Sequence, residues 1–392
     1  MTQDTRHFVI IGGGQSGGWA AKTLRDQGFS GKVTLVGEEL HPPYERPPLS
    51  KALLAGADPA STYLWSEQAL LDRDIDLILG VSAVSIDRNR RIVSLADGRM
   101  LEFDRLLIAT GARVRRLDID GGNLDGVHYL RNIEDSSAIQ QSFARGGRVL
   151  VVGGGWIGLE LAAAAIAKGL AVTLIEAGEQ LCGRSLPRQS ATFFSDMHIR
   201  HGVDLRFGNA LAALEGAGTV ERALLTDGSC LDVDTVVIGI GIEPNVSLAV
   251  AADLKVENGV VVDDNLLTSD PAIFACGDVA SLRDPAGANV RLETWQNAQN
   301  QGIAAGKSML GQTPLAPAEA AWFWSDQYDL NFQMLGTPAG TDMMVVKGDP
   351  ETGKFVQYFV REDRLSAVAA FNSPRELREA KRLMRANAPF IS

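Results

Sequence analysis

Gly153, Gly155 and Gly158 stand in G-x-G-x-x-G spacing, and Glu176 closes the apolar run Val172–Ile175 that follows them. Those residue types at that spacing suit a dinucleotide. The first glycine makes a tight turn, the second lets backbone approach a pyrophosphate, and the third lets a helix pack closely on a strand. The acid can accept hydrogen bonds from ribose hydroxyls. Gly12, Gly14 and Gly17 repeat the pattern near the start of the chain, with Glu38 in the acid's place. Cysteine chemistry is not offered: Cys182, Cys230 and Cys276 are far apart and form no C-x-x-C pair, which excludes a Cys-type metal site and a sequence-local redox disulfide.

Each glycine set needs a strand before it, a helix after it and a second strand to carry the acid. Val149–Val152 is β-branched and apolar, as a doubly buried parallel strand requires. The helix that follows points unpaired N–H groups and its positive end at the phosphates. Val149 to Ala167 is apolar enough to suggest a membrane span, but Glu160 and the glycine cluster argue for a helix buried in an α/β domain. At the N-terminal set, Phe8–Ile11 reads as the strand, Trp19–Gln27 as the helix and Lys32–Val36 as the second strand. Two such units admit two dinucleotides at once. A flavin dinucleotide and a nicotinamide dinucleotide held together make a hydride-transfer enzyme.

Three further segments, Asp104–Gly111, Asp234–Gly241 and Ile273–Val279, are apolar strands ending in small residues, where backbone can pass close to a ligand. Asp278 after the last of them suits a ribityl hydroxyl, or equally a helix N-cap. At 392 residues the chain should hold two or three domains. Its net charge of −11 argues against nucleic acid or an anionic membrane as partner, and any acidic partner must meet a local basic patch. A strand begins almost at once, leaving no room for a signal peptide, so a cytoplasmic protein is expected.

Beyond the glycine sets, HPPYERPPLSK (41–51), LLIATG, GIGIEPN, the stretch ending in CGD, RLETWQNAQNQG and WFWSDQYDL together resemble one family over essentially the whole chain. It is the FAD- and NADH-dependent ferredoxin reductases of bacterial oxygenase systems, and YERPPLSK and WFWSDQY are its most specific pieces. The resemblance implies an α/β fold with two Rossmann-like dinucleotide-binding domains in a glutathione-reductase-like arrangement, plus a C-terminal α+β domain. It implies a discontinuous FAD domain (1–112 and 244–318), an NAD domain (113–243) and a C-terminal domain (319–392). FAD contacts are implied at Gly12, Gly14, Ser16, Gly17, Glu38, Lys51, Ala83, Arg131, Asp278 and Trp295, and NAD contacts at Gly153, Gly155, Ile157, Gly158, Glu176 and Gly241. Trp295 replaces the smaller aliphatic residue of a familiar member. Lys51, aimed by the two prolines ahead of it, is expected to pair with Glu160 beside the flavin.

With no cysteine between Met1 and Cys182, electrons must leave the flavin for a diffusible acceptor. The implied acceptor is a [2Fe–2S] ferredoxin, docking near Trp324 and the basic helix Arg375–Arg385. Trp322 reads as a packing residue. Glu176 without an adjacent cation favours NADH over NADPH, with Arg184 farther along the chain. Two alternatives differ in the acceptor or the role: a rubredoxin reductase or NADH oxidase of the same superfamily, and a flavin-bearing interaction protein that responds to NADH. No metal site is expected.

Overall fold

The computed structural model describes residues 4–283, 287–313 and 320–390. The elements that position the site begin with β1 (His7–Ile11), α1 (Gln15–Asp26), β2 (Lys32–Val36), β3 (Ile75–Ile78) and β4 (Arg105–Ile108). Next come β5 (Val127–Tyr129), α2 (Ile133–Ala144), β6 (Arg148–Val152), α3 (Trp156–Ala167), β7 (Ala171–Glu176), α4 (Arg188–Arg200), β8 (Asp204–Phe207) and β9 (Thr235–Ile238). β10 (Ile273–Ala275) and α5 (Trp295–Ser308) follow. The chain closes with β11 (Trp322–Gln327), β12 (Leu330–Gly336), β13 (Met343–Asp349), β14 (Lys354–Arg361), β15 (Arg364–Phe371) and α6 (Pro374–Arg385).

The chain folds into two compact units. The first comprises Met1–Glu45, Pro59–Arg113 and Glu243–Pro317. Its sheet runs β3-β2-β1-β4-β10 with every neighbour parallel. β1 buries Phe8, Val9, Ile10 and Ile11 almost completely, as a strand covered on both faces must. Strand order reverses beside β1, which in an open parallel sheet is where ligands bind. The helix after β1 starts at Gln15, well ahead of the expected Trp19. Its first turn contains Gly17 and Gly18, poor helix formers, but packing requires them. A Cβ on Gly17 would lie 2.0 Å from the Gly12 carbonyl oxygen, and one on Gly18 2.6 Å from Pro43. α5 packs on α1 through small residues too: a Cβ on Gly302 would lie 2.4 Å from the Ser16 carbonyl oxygen.

The second unit comprises Arg46–Asp58, Val114–Ile242 and Ala318–Ser392. Its parallel sheet runs β8-β7-β6-β9-β5, the same order about β6 as the first sheet has about β1. The outermost strand comes from downstream in the first unit and from upstream in the second. A five-stranded antiparallel sheet, β11-β12-β15-β14-β13, completes the unit. Aromatic side chains join it to the nucleotide-type half. Trp156 at the start of α3 stacks on Phe332 at 4.9 Å and 17°, and meets Phe194 edge-on at 5.3 Å. α6 lies on this sheet through Leu377 and Ala380. α3 itself is apolar nearly all round and buries Leu159, Leu161 and Ala162, so its apolarity serves a protein core. No helix among the described residues is long and apolar enough to cross a membrane.

Candidate active site

The two glycine loops have matching geometry. Gly12 adopts φ +116° and Gly153 φ +105°, both in the region that favours glycine. A Cβ on Gly12 would lie 2.1 Å from the Ala109 carbonyl oxygen, and one on Gly153 2.4 Å from that of Gly239. The third glycines are equally constrained, since a Cβ on Gly17 or Gly158 would lie 2.0 Å from the first glycine's carbonyl oxygen. At Gly14 and Gly155 the result is the opposite: an added Cβ meets nothing within 4 Å. No steric contact among the described residues requires glycine there; an N-cap tolerates it, and a closely approaching pyrophosphate would require it.

Both helices that follow start at these glycines with no side-chain cap and no acid in the first turn. Their first N–H groups therefore remain for an anion. By contrast, Asn132 and Asp135 close the start of α2 in a capping box. Gln15, the first residue of α1, buries both polar atoms of its amide with no partner among the described residues. Two open cradles, uncapped helix starts and an orphaned buried amide fit FAD in the first unit and a nicotinamide dinucleotide in the second.

Around the first cradle the structure places Ser16, buried, against Gly277, where an added Cβ would lie 2.5 Å from the Ser16 hydroxyl. The buried Gln301 of α5 accepts from the Gly277 N–H at 2.8 Å. Asp278 lies inside the short 3₁₀ turn Gly277–Val279, so it is not the N-cap of a helix. Glu38 is exposed beyond the end of β2. Ala83 begins a strand pairing with Ile92–Leu95, with a register shift between Ala83 and Ser85. Trp295 is the first residue of α5, which is capped by Thr294. These residues belong to the first unit, whereas Lys51, Arg131 and Trp324 belong to the second.

In the second unit Glu176 is held by both oxygens. One accepts the Gly154 N–H and the other the Gly178 N–H, each at 2.7 Å. The acid thus anchors the glycine loop. Ile157 is 44% exposed on the first turn of α3. Gly241 adopts φ +104°, and an added Cβ there would lie 3.3 Å from the Arg184 guanidinium.

The structure brings Lys51 and Glu160 together. Pro47–Ser50 forms a 3₁₀ turn that presents Lys51. Its ammonium donates to Glu160 Oε2 at 2.7 Å and to the Pro47 carbonyl at 3.3 Å. Glu160 is only 6% exposed, so its charge requires compensation. The hydroxyls of Ser50 and Ser325 donate to its two oxygens, the latter at 2.6 Å. Beyond Ser325 the bonds continue. Gln327 Nε2 donates to Ser325 Oγ at 3.0 Å, Gln327 Oε1 meets His198 Nε2 at 2.9 Å, and the Tyr328 hydroxyl meets His198 Nδ1 at 2.9 Å. Burial pushes His198 down to about 4, so its ring is neutral. Burial likewise raises the Tyr328 phenol. The Arg131 N–H donates to Asp135 at 2.8 Å at the start of α2, and its carbonyl accepts from the Arg46 guanidinium at 2.5 Å, just ahead of the turn that presents Lys51.

Ser50, Ser325, Gln327 and His198 are not among the candidates that the sequence offers. Ser325 and Gln327 do fall inside WFWSDQYDL, at alternate positions of one strand. Trp322 and Trp324 share the other face and stack at 4.9 Å and 19°, with Trp322 Nε1 donating to Gln333 at 3.1 Å. All three thiols are free. Burial raises Cys182 strongly and pushes Cys276 up to about 12, so neither offers a thiolate. No cluster of three metal-type ligands occurs among the described residues.

The pyridine nucleotide-disulphide oxidoreductase family model matches residues 6–302, and the reductase C-terminal model matches residues 322–391. Rhodocoxin reductase of Rhodococcus erythropolis is 41% identical over 385 residues, spanning 97% of this chain and 90% of the relative. The ferredoxin–NAD(+) reductase component of the p-cumate 2,3-dioxygenase system of Pseudomonas putida is 39% identical, spanning 97% and 94%. Among solved structures, a covalent putidaredoxin reductase–putidaredoxin complex superposes with a TM-score of 0.94 at 36% identity, covering 98% of this chain and 94% of that one.

Proposed function

We propose the function from a fixed premise: the chain belongs to the pyridine nucleotide-disulphide oxidoreductase family, and within it to the ferredoxin–NAD(+) reductases. It is a flavoprotein reductase that passes electrons from NADH through FAD to a [2Fe–2S] ferredoxin, which feeds an oxygenase. The observation that carries this reading is the pair of matched cradles, each with an open second glycine. FAD, when bound, supplies the central chemistry: it accepts two electrons from NADH and releases them one at a time.

The protein's own residues bind, orient and set charge. FAD is assigned to Gly12, Gly14, Ser16, Gly17, Glu38, Lys51, Ala83, Arg131, Asp278 and Trp295. NADH is assigned to Gly153, Gly155, Ile157, Gly158, Glu176 and Gly241. The exposed Ile157 offers an apolar surface to the visiting nucleotide, and Glu176, with no cation bonded to it among the described residues, disfavours a 2′-phosphate. The Lys51 ammonium, paired with Glu160, is a fixed positive charge that would favour negative charge on FAD when bound. Domain assignments follow the same reading: FAD to 1–112 and 244–318, NAD to 113–243, and a C-terminal domain at 319–392. The unit changes at Arg113 and Glu243 support the boundaries between the first two, while Arg46–Asp58 groups with the second unit.

For the ferredoxin, Arg375, Arg378, Arg382 and Arg385 of α6 are exposed and fall on one helical stripe. That stripe is a local basic surface on an otherwise acidic protein, suited to steering an acidic carrier. The test is NADH-driven cytochrome c reduction with purified protein. Turnover that requires an added [2Fe–2S] ferredoxin supports the reading. Fast oxygen or peroxide reduction without a carrier would select an oxidase. A change of assembly on NADH addition with negligible turnover would select an interaction protein.

A further inference from the structure

The hydrogen bonds that end on Glu160 all run one way. Gln327 Oε1 faces His198 Nε2, so that nitrogen carries the imidazole proton and Nδ1 is bare. The Tyr328 hydroxyl then donates to Nδ1, His198 Nε2 donates to Gln327, Gln327 donates to Ser325, and Ser325 donates to Glu160. Ser325 is fully buried, as is His198, and Gln327 is 2% exposed. Each group has its partner, as a buried polar network must to be stable. Serving proton transfer would need every link to pass a proton. The Gln327 amide does not, so the row acts through geometry and dipoles.

The far end is held firmly. Tyr328 sits in the β11–β12 turn at φ +55°, an uncommon conformation for a bulky side chain. Its ring stacks on His201 at 3.7 Å and 8°, and its hydroxyl is fixed by His198. Both histidines come from the end of α4, so the strained turn is clamped to that helix. Strain of this kind persists only where the surroundings over-determine it.

We propose that Tyr328, His198, Gln327 and Ser325 form a positioning array that fixes the Glu160 carboxylate and thereby aims the Lys51 ammonium. The array rests on the reading that Lys51 and Glu160 serve flavin reduction. Ser325 holds one carboxylate oxygen, which leaves the other turned to Ser50 and Lys51. None of the four array members touches the nucleotide in this account; they act through Glu160.

The test uses holoenzyme variants Ser325→Ala, Ser325→Thr, Tyr328→Phe and Lys51→Met, with three readouts. The first is the rate of acylation of the Lys51 amine by acetic anhydride, read by mass spectrometry against exposed Lys168 as internal reference. Ser325→Ala and Tyr328→Phe should raise it severalfold, and Ser325→Thr should restore it. The second is the ¹⁵N shift pattern of His198, which should show the proton on Nε2. The third is stopped-flow flavin reduction: Ser325→Ala should slow the limiting rate about fivefold, the fold-change of one ordinary hydrogen bond, with NADH affinity unchanged.

Unchanged Lys51 acylation in both Ser325→Ala and Tyr328→Phe, or a His198 proton on Nδ1, overturns the array. If Lys51→Met reduces its flavin at the wild-type rate, the reading of the Lys–Glu pair falls while acylation still decides the array. If Lys51→Met is slow but Ser325→Ala is not, the pair stands and the array's part in catalysis is refuted.

Discussion

Acidification should weaken this protein through His198 in a defined window. The ring is fully buried, and its folded-state value lies at about 4 against 6.5 for an unperturbed imidazole. Burial is the main cause, with the hydrogen bond to Gln327 opposing it and His201 adding to it. Between those two pH values the unfolded chain binds a proton that the folded chain refuses. Stability therefore rises with pH across the window and is lost as pH falls from 6.5 towards 4. At about 1.4 kcal/mol per pH unit, the loss by pH 4 is about 3 kcal/mol. That is a large share of the ~5–15 kcal/mol that holds a typical domain folded. His7 and His128 are also depressed by burial and act in the same direction. A His198→Gln variant isolates the effect, because subtracting its profile cancels the other histidines. Urea midpoints followed by tryptophan fluorescence at steps between pH 7 and 4.5 should show the gap between wild type and variant narrowing as pH falls. Parallel profiles throughout that range would refute the reasoning and mean that His198 is not a buried neutral ring.

Three further outcomes follow from the site. Gly14→Ala should fold normally, because its Cβ meets nothing within 4 Å, yet purify with little flavin; Gly17→Ala, with its Cβ 2.0 Å from a carbonyl oxygen, should be unstable as well. Circular dichroism and the flavin-to-protein absorbance ratio separate the two cases. Glu176→Ala should raise the NADH KM about tenfold, since a hydrogen bond to a charged group is worth about 1.5 kcal/mol. It should also move the kcat/KM ratio towards NADPH, and an unchanged ratio would contradict the 2′-phosphate argument. Arg378→Glu with Arg382→Glu should raise the ferredoxin KM roughly tenfold at low salt and leave ferricyanide reduction alone. Equal ferredoxin kinetics would end the case for α6 as the docking face.

Much of this architecture was legible in the sequence because each glycine in a fingerprint answers a separate local demand. Gly12 turns the chain, Gly17 lets α1 pass the loop, and Gly14 leaves room for a ligand, so the spacing predicts the geometry. The start of α1 was misplaced for a related reason: Gly17 and Gly18 lower local helix propensity, and only tertiary packing restores the helix there. The sequence leaves Asp278 open between two roles, and the fold puts it inside the turn Gly277–Val279, where Cys276 is the N-cap. Composition and spacing were silent on Lys51 meeting Glu160, which was reached through the family resemblance. Nor could they give the rest of that cluster. Ser325 and His198 reach Glu160 through contacts between distant stretches of chain, and a single sequence carries no local periodicity for such contacts.

The central claim is that one molecule holds a resident flavin and a visiting nicotinamide, with no reactive thiol between donor and acceptor. Anaerobic titration of the purified protein with NADH, followed by flavin absorbance, tests it most directly. The account predicts a yellow protein bleached to completion by one equivalent of NADH per flavin, with no further equivalent taken up. A protein that stays colourless after reconstitution with FAD, or one that consumes a second equivalent as a dithiol–flavin pair would, contradicts it.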